Sequence, residues 1–207
     1  MANEEPLRLN RAAAAVIIQD LQNDVIGEGG AFADSGAPKH AASQRIVANV
    51  SRLAKEARTL GVPVIYIHYI VEPGAKGLKL NAPLFNGVKE TNALVRGSWG
   101  AAPVAGLEPQ KGDFVVEKMR MNGFYNTELE ILLRGLGAET VIITGAWTNM
   151  SIEHTARHAA DAGFEVIVAS DGTSTVNDEW QNAGLNYALT NVGRTPSCAE
   201  IIAALRS

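Results

Sequence analysis

The stretch Thr140-Val-Ile-Ile-Thr144, followed by Gly145-Ala-Trp-Thr-Asn-Met-Ser-Ile-Glu-His-Thr-Ala-Arg157, decides how this chain folds. Its first part is a short apolar run, which is typical of a buried strand, and its second part continues as a helix towards Gly163. A sharp turn from strand to helix is a common way to present a nucleophile, because the first N–H groups of a helix are unpaired and carry partial positive charge. The residue at this turn is Ser151.

Four further apolar runs predict strands of the same kind. These runs are Ala13–Ile18, Val62–His68, Asp113–Glu117 and Phe164–Ala169. The segments between the strands have helical character: Ala42–Leu60, Thr127–Arg134, Ile152–Ala162 and Asp178–Leu189. Near-continuously apolar strands that alternate with helices indicate a parallel sheet covered on both faces. The predicted fold is therefore a three-layer α/β/α domain with a mainly parallel sheet.

The whole chain, 1–207, is predicted to form a single domain, with residues 1–10 as an N-terminal extension. A chain of 207 residues is long enough to bury one full core. The segment 71–112 is rich in glycine and proline and is long for a connection in a compact domain. We expect this segment to act as a lid or as a subunit contact.

Composition argues against several classes of partner. The 18 basic and 22 acidic residues give a net charge of −4, and no segment concentrates Lys and Arg, so nucleic acid is not expected. No apolar run approaches the roughly 20 residues that cross a bilayer, so no membrane contact is expected. The polar first residues predict no secretory signal. The single cysteine, Cys198, rules out an internal disulfide framework and favours a cytoplasmic location.

Three polar residues follow the ends of predicted strands. They are Asp20, Lys118 and Ser151, and in a parallel sheet all three would point into one crevice. A carboxylate, an ammonium group and a hydroxyl meeting there indicate a base, a charge partner and an attacking group. Taken singly, each residue also fits a structural role, as a turn residue, a solvated lysine or a helix cap.

Three sequence motifs occur in one order along the chain. The first is Val16-Ile-Ile-Gln-Asp-Leu-Gln-Asn-Asp24, an apolar strand followed by Asp-x-Gln-Asn-Asp. The second is Lys118 with Phe124 and Thr127 downstream, and the third runs from Gly145 to Ala156. Together they resemble the motifs of the isochorismatase-like cysteine hydrolases, a superfamily that contains nicotinamidases, carbamoylsarcosine and ureide amidohydrolases, and isochorismatase. The resemblance covers most of the chain.

The resemblance implies a hydrolase that cleaves the C–N bond of a small amide, ureide or carbamoyl compound and releases ammonia without a cofactor. In this family an Asp accepts the thiol proton, a Lys stabilises the charge of that Asp, and a Cys attacks the amide carbonyl. The matching positions in this chain are Asp20, Lys118 and Ser151. The backbone N–H groups of Trp147 and Ser151 would form the oxyanion hole. A cis peptide bond is expected between Ala146 and Trp147.

The chain departs from the family at Ser151, where the family usually has cysteine. Three explanations stay open, of which we favour an engineered Cys-to-Ser replacement that captures an uncleaved ligand. The second explanation is a natural relative in which Asp20 acts without a covalent step, as in isochorismatase, which hydrolyses a vinyl ether. An arginine in the pocket and an aromatic carboxylate substrate would favour that alternative. The third is an inactive binding homologue, whose cleft would be filled by side chains.

Polar and aromatic residues near the motifs are candidate substrate contacts. They are Gln22, Asn23, His68, Trp99, Asn122, Phe124, Tyr125 and Trp147. Arg96 or Arg120 is a candidate for receiving a substrate carboxylate. No metal site is predicted, because Tyr66–Gly74 holds one His and lacks the Asp-x-His spacing of the nicotinamidases. The resemblance also implies assembly into a homodimer or homotetramer.

Overall fold

A single sheet of five strands organises the molecule, in a computed structural model that describes residues 7–207. The strands are β1 (Ala14–Gln19), β2 (Val64–Tyr69), β3 (Phe114–Lys118), β4 (Thr140–Ala146) and β5 (Glu165–Ser174). They pair in the order β3-β2-β1-β4-β5, and every neighbouring pair is parallel. The predicted parallel sheet is therefore confirmed. Residues 1–6 of the predicted N-terminal extension lie outside the described residues.

Helices cover both faces of this sheet. They are α1 (Asn23–Ile26), α2 (Ala37–Ser43), α3 (Ile46–Thr59), α4 (Pro83–Glu90), α5 (Leu129–Gly135), α6 (Glu153–Asp161), α7 (Asp178–Ala183) and α8 (Cys198–Arg206). Two π-helical turns, Thr148–Ile152 and Gly184–Ala188, precede α6 and follow α7. Short 3-10 turns lie at Arg11–Ala13, Ala33–Ser35 and Pro73–Ala75. In the part of the chain from 7 to 207, no helix is both long and apolar enough to cross a membrane.

The core is divided by the sheet into two layers. On one face, α3 and α8 pack against alternate residues of the strands, and Val50 and Leu53 of α3 are fully buried there. On the other face, α5 and α6 pack against the intervening strand residues. Burying one large aliphatic side chain contributes about 1.5–3 kcal/mol, so both layers stabilise the strand ends that carry the polar residues.

The structure differs from the sequence prediction in two connections. The predicted helix over Ala42–Leu60 is two helices, because Arg45 adopts a left-handed conformation with φ of 53° that ends α2 and lets α3 begin at Ile46. The segment 71–112, predicted as loop-rich, contains α4, which starts with a proline in its first turn, where the missing N–H is tolerated. Strand β5 also continues past Ala169 to Ser174.

The single cysteine lies at the start of α8. Its preceding residue, Ser197, caps the helix and forms a reciprocal capping box with Glu200. The backbone N–H of Cys198 donates to Asp171 Oδ1 at 2.6 Å, and the thiol is buried in the first core layer. Burial raises the pKa of the Cys198 thiol, and the Asp171 carboxylate raises it further. This thiol is therefore a structural group.

Candidate active site

The three polar residues predicted at strand ends come together at the carboxyl edge of the sheet. Asp20 follows β1 at the centre of the sheet, Lys118 ends β3 and Ser151 lies in the π-helical turn after β4. Lys118 Nζ is 2.7 Å from Asp20 Oδ2, and Asp20 and Ser151 line the same small cavity. We call these three residues the Asp20 cluster.

The Lys118 ammonium is fully engaged. Besides the Asp20 carboxylate it donates to the backbone carbonyls of Arg120 at 2.9 Å and Met121 at 3.0 Å, which accounts for its three N–H groups. The side chain is completely buried. Burial lowers the pKa of Lys118, and the Asp20 carboxylate opposes that shift. The lysine therefore serves as a fixed positive charge beneath the cavity.

Asp20 is held in an unusual conformation with one oxygen uncommitted. Its φ of 57° lies in the left-handed region, and its N–H donates to the carbonyl of Ile67 in β2. Burial raises the pKa of Asp20, while Lys118, and to a smaller extent Ser151 and Gln19, lower it. Within residues 7–207, no hydrogen bond of ordinary geometry reaches Oδ1. This oxygen is free to accept a proton.

The backbone that leads into the turn carrying Ser151 has an unusual conformation. Gly145 adopts a φ of 135°, and a side chain there would meet the carbonyl oxygen of Gln19 at 2.0 Å, so glycine is required. The peptide bond between Ala146 and Trp147 is cis. Trp147 caps the π-helical turn and its carbonyl accepts from Met150 N–H, which places Ser151 at the start of the helical run. That the backbone N–H groups of Trp147 and Ser151 form an oxyanion hole stays a prediction.

The cavity beside the Asp20 cluster is small and apolar. Its volume is about 40 Å³. Seven of the residues that line it have aliphatic, thioether or phenyl side chains: Val25, Phe32, Leu84, Val88, Leu94, Ala146 and Met150. Trp147 and Tyr69 complete the wall, and the Trp147 ring packs edge-on against Phe32 at 5.9 Å. Helix α4, which supplies Leu84 and Val88, therefore covers the cavity.

Two predicted substrate contacts instead tie loops together. Gln22 bridges Tyr69 and Ala101, because its Nε2 donates to both carbonyls at 2.9 and 2.7 Å and its Oε1 accepts from Tyr69 N–H. Asn23 Nδ2 donates to the Trp99 carbonyl at 2.8 Å. Trp99 itself is 60% exposed and lies over a separate surface groove. These three residues do not line the cavity.

His68 also lies away from the cavity. Its ring packs edge-on against Tyr66 at 6.0 Å, and burial lowers its pKa although Glu117 opposes this. Side chains alternate along a strand, so the neighbouring residue, Tyr69, is the one that reaches the cavity. Trp147 is thus the one predicted substrate contact that lines it.

The remaining candidates lie near the loop after β3. Phe124 is buried in the second core layer, where it stacks on His158 at 4.8 Å. Asn122 is held by hydrogen bonds, since its Nδ2 contacts His158 Nδ1 at 3.0 Å and its Oδ1 accepts from Phe124 N–H. Tyr125 is 61% exposed. Asn122 and Tyr125 line a wide open groove of about 840 Å³ rather than the cavity.

The two candidate arginines line this wide groove as well. Arg96 pairs with Glu72 and Glu117, both at 2.7 Å. Arg120 donates to a backbone carbonyl and to Asn81, and its guanidinium lies 3.4 Å from the centre of the Phe85 ring. The groove is larger than the cavity. The cavity is nevertheless the better candidate site, because Ser151 lines it together with Asp20, whose Oδ1 has no hydrogen-bond partner among the described residues.

Two residues at the site were missed by sequence reasoning. Gln19 Nε2 donates to the Ser151 carbonyl at 3.1 Å and to the Met121 carbonyl at 3.3 Å, so it joins the turn after β4 to the loop after β3. The sequence signal that could have indicated this role is the polar side chain of Gln19 at the end of an otherwise apolar strand. Tyr69 lies one residue past the predicted end of its strand. No group of three His, Cys, Asp or Glu side chains in residues 7–207 is arranged to hold a metal ion.

Comparisons with known proteins relate the chain to one family. The model of the Isochorismatase domain matches residues 14–202. Ureidoacrylate amidohydrolase RutB of Yersinia enterocolitica is 32% identical over 199 residues, covering 90% of this chain and 86% of that protein. RutB of Methylobacterium radiotolerans is 32% identical over 190 residues, covering 86% of this chain and 73% of that protein.

Solved structures have the same fold. A cysteine hydrolase from Pseudomonas syringae pv. phaseolicola superposes with a TM-score of 0.84 and 26% identity, covering 99% of this chain and 98% of that one. N-carbamoylsarcosine amidase from Thermoplasma acidophilum, at 21% identity, shares the fold with a TM-score of 0.69 and covers 89% of this chain and 96% of that one. With the domain match over 14–202, these likenesses show that the chain belongs to the isochorismatase family of hydrolases.

Proposed function

We propose that the Asp20 cluster hydrolyses the C–N bond of a small amide or ureide, with residue 151 as the nucleophile position. One observation carries the proposal: a buried Lys118–Asp20 ion pair presents an uncommitted carboxylate oxygen to a cavity that Ser151 also lines. A carboxylate whose pKa burial raises is a better proton acceptor than a solvated one. The relatives named amidohydrolases support the same reaction class.

The residues divide the reaction between them. The side-chain oxygen of Ser151 bonds to the substrate carbonyl carbon, its proton passes to Asp20, and the carbonyl electron pair moves onto oxygen, facing the N–H groups of Trp147 and Ser151. When the C–N bond breaks, nitrogen takes the electron pair and the proton from Asp20 and leaves as ammonia. A water molecule then gives a proton to Asp20 and attacks the carbonyl carbon of the acyl group. The bond from this carbon to the Ser151 oxygen breaks, Asp20 returns the proton to that oxygen, and the acid leaves.

A serine at position 151 makes the first step slow. A hydroxyl has a pKa many units above the ~8.5 of a free thiol, so it gives up its proton to a carboxylate far less readily. A serine nucleophile commonly relies on a histidine base, and no histidine among the described residues lines the cavity. We therefore infer that this chain binds its substrate but turns it over slowly, and that cysteine at position 151 gives the faster enzyme.

The two alternatives find less support. A binding homologue would have its cleft filled by side chains, whereas a cavity of about 40 Å³ opens beside the Asp20 cluster. A vinyl ether hydrolase for an aromatic carboxylate would have an arginine in the pocket, and Arg96 and Arg120 are engaged in the wide groove instead. Assembly into a homodimer or homotetramer stays a prediction.

The proposal is tested by ammonia release from a panel of small amides and ureides. The chain as it stands, Ser151→Cys and Ser151→Ala are compared, the last as a control that keeps the cavity and removes the nucleophile. We expect Ser151→Cys to exceed the serine form by at least about 100-fold in kcat, because the thiolate forms more readily. If Ser151→Cys releases no ammonia from any compound, the proposal is wrong. The non-covalent vinyl ether hydrolase and the inactive binding homologue would then be the better explanations.

A further inference from the structure

The cavity has no free cation with which to receive a substrate carboxylate. Asp20 is the one charged residue among the described residues that line it. The nearest positive charge, Lys118, has all three N–H groups engaged by Asp20 and by two backbone carbonyls. A carboxylate that entered would face the negative charge of Asp20 while losing its own hydration, which is strongly unfavourable.

The candidate arginines do not supply that cation. Arg96 is neutralised by Glu72 and Glu117. Arg120 is held over the Phe85 ring and hydrogen-bonded to Asn81. Both line the wide groove and neither lines the cavity. The apolar wall and the volume of about 40 Å³ therefore suit a small uncharged molecule.

Besides Asp20 Oδ1, a second polar group of the cavity wall lacks a hydrogen-bond partner among the described residues. The hydroxyl of Tyr69 is buried and has no hydrogen-bond partner within residues 7–207, while Lys118 Nζ lies 4.7 Å from the centre of its ring. Tyr66, on the same strand, shows the usual arrangement, because its hydroxyl accepts from Arg58 at 3.0 Å. A buried hydroxyl without a partner is unfavourable, so the Tyr69 hydroxyl is poised to bind a polar group of a ligand.

We propose that the cavity selects a small uncharged amide with an apolar body, and that the Tyr69 hydroxyl hydrogen-bonds to the amide group of that substrate. The inference rests on the proposed function and narrows its substrate class. It separates this chain from relatives named for ureidoacrylate, whose name denotes a carboxylate. Tyr69 is accordingly a specificity-determining residue.

The first experiment compares two amides of similar size, butyramide and malonamate, which differ in the presence of a carboxylate. Ammonia release is measured with Ser151→Cys. We expect kcat/KM for butyramide to exceed that for malonamate by at least about 100-fold, because the carboxylate would be buried without a partner. Equal values, or a preference for malonamate, would overturn the inference and would point to the wide groove or a neighbouring subunit as the source of a cation.

The second experiment uses the two tyrosines as a matched pair in the Ser151→Cys background. For Tyr69→Phe we expect the KM for butyramide to rise about threefold to tenfold with kcat little changed and the melting temperature not lowered, because the lost hydroxyl had no protein partner. For Tyr66→Phe we expect a lower melting temperature and an unchanged KM. An unchanged KM in Tyr69→Phe, or a loss of melting temperature equal to that of Tyr66→Phe, would overturn the role of Tyr69.

Failure of the proposed function can be told apart from failure of this inference. If Ser151→Cys cleaves no amide, the reaction is wrong, but the selectivity of the cavity is still measurable by binding. The melting temperature of the chain as it stands is then recorded with butyramide and with malonamate at equal concentration. A rise with butyramide alone supports the inference, and any other result overturns it.

Discussion

Two clusters of acid, base and hydroxyl groups lie at the same edge of the sheet, and one of them, the Asp20 cluster, contributes Asp20 and Ser151 to the wall of a cavity. Beside the Asp20 cluster lies a second one, which we call the His40 cluster: His40 of α2, Ser174 and Thr175 at the end of β5, and Asp178 at the start of α7. By composition the His40 cluster, with its serine, histidine and aspartate, looks more like a hydrolase triad than the Asp20 cluster does.

The hydrogen bonds of the two clusters differ. His40 Nδ1 accepts from the Thr175 N–H at 3.2 Å and contacts the Ser174 hydroxyl at 2.6 Å, so its lone pair is already used. Its Nε2 faces Asp178 at 3.3 Å, and Ser174 is completely buried. Within residues 7–207, His40 Nε2 and Asp20 Oδ1 both lack a hydrogen bond of ordinary geometry, but only Asp20 belongs to the lining of the small cavity that Ser151 shares. Residue types alone therefore do not identify an active site; uncommitted atoms facing a cavity do.

The His40 cluster has a structural role that its contacts explain. The Thr175 hydroxyl contacts Asn149 Oδ1 at 2.6 Å, and Asn149 lies in the π-helical turn that carries Ser151. The His40 cluster therefore supports the π-helical turn that carries Ser151. If the Asp20 cluster is the reactive one and the His40 cluster is structural, substitutions in the two clusters should have different effects.

The largest expected effect is on activity. In the Ser151→Cys background, Asp20→Asn removes the proton acceptor and should lower kcat/KM for amide hydrolysis by about 100-fold to 10 000-fold. Ser174→Ala in the same background should leave kcat/KM within a small factor of its parent. Ammonia release measures both. A comparable loss in Ser174→Ala would mean that the His40 cluster takes part in catalysis and that the comparison is wrong.

The next effect is on stability. Lys118→Met leaves the buried Asp20 carboxylate without its partner and should lower the free energy of unfolding by about 3–5 kcal/mol, measured by urea denaturation. Burial raises the pKa of Asp20, so the folded variant binds a proton more readily than the unfolded chain, and the loss should be smaller at acidic pH and larger as the pH rises. Asp178→Asn serves as the control, since that carboxylate is 85% exposed and should matter little.

A smaller effect separates the two serines. Ser174→Ala removes a hydrogen bond to a buried histidine nitrogen and should cost about 1 kcal/mol, or a fall of roughly 2–4 °C in melting temperature for a chain of this size. Ser151→Ala removes a hydroxyl that faces the cavity and should leave the melting temperature nearly unchanged. Equal losses in the two variants would show that Ser151 is also a structural residue.

The smallest effect is a dependence on pH. Burial lowers the pKa of His40 below its ordinary value, although Asp178 opposes this. The folded protein then binds fewer protons than the unfolded chain, so the free energy of unfolding should fall as the pH drops from about 7 towards 5. His40→Asn removes this titration while keeping an acceptor near Thr175. Burial lowers the pKa of His68 as well, and this contribution is the same in the parent chain and in His40→Asn. The difference between their free energies of unfolding as a function of pH therefore reports His40 alone. Parallel curves for the two proteins would contradict the prediction.

The sequence predicted the structure best where a feature depends on residues that are neighbours along the chain. Strand β1 was predicted as Ala13–Ile18 and spans Ala14–Gln19, because a continuous apolar run needs no distant partner to indicate a buried strand. Asp20, Lys118 and Ser151 were found from strand ends and motif order. The break at Arg45 was not found, since its left-handed conformation depends on the packing of both flanking helices.

The wall of the cavity depends on tertiary contacts that the sequence does not reveal. Phe124 was placed near the cleft because it lies close to Lys118 along the chain, yet its side chain is buried in the core layer of the other face. Leu84 of α4 lines the cavity from a distant segment. Gln19 joins two loops 102 and 132 residues away, and such a role cannot be read from neighbours in sequence.

The burial of the one cysteine has a practical consequence for chemical labelling. Since Cys198 is buried at the start of α8 and the pKa of its thiol is raised, the folded chain should be inert to thiol reagents such as iodoacetamide. Ser151→Cys would then add the one reactive thiol, lying beside a base and at the start of a helical run. The moles of reagent incorporated per mole of protein would count competent sites directly, and protection from labelling by an amide would report occupancy without any assay of turnover.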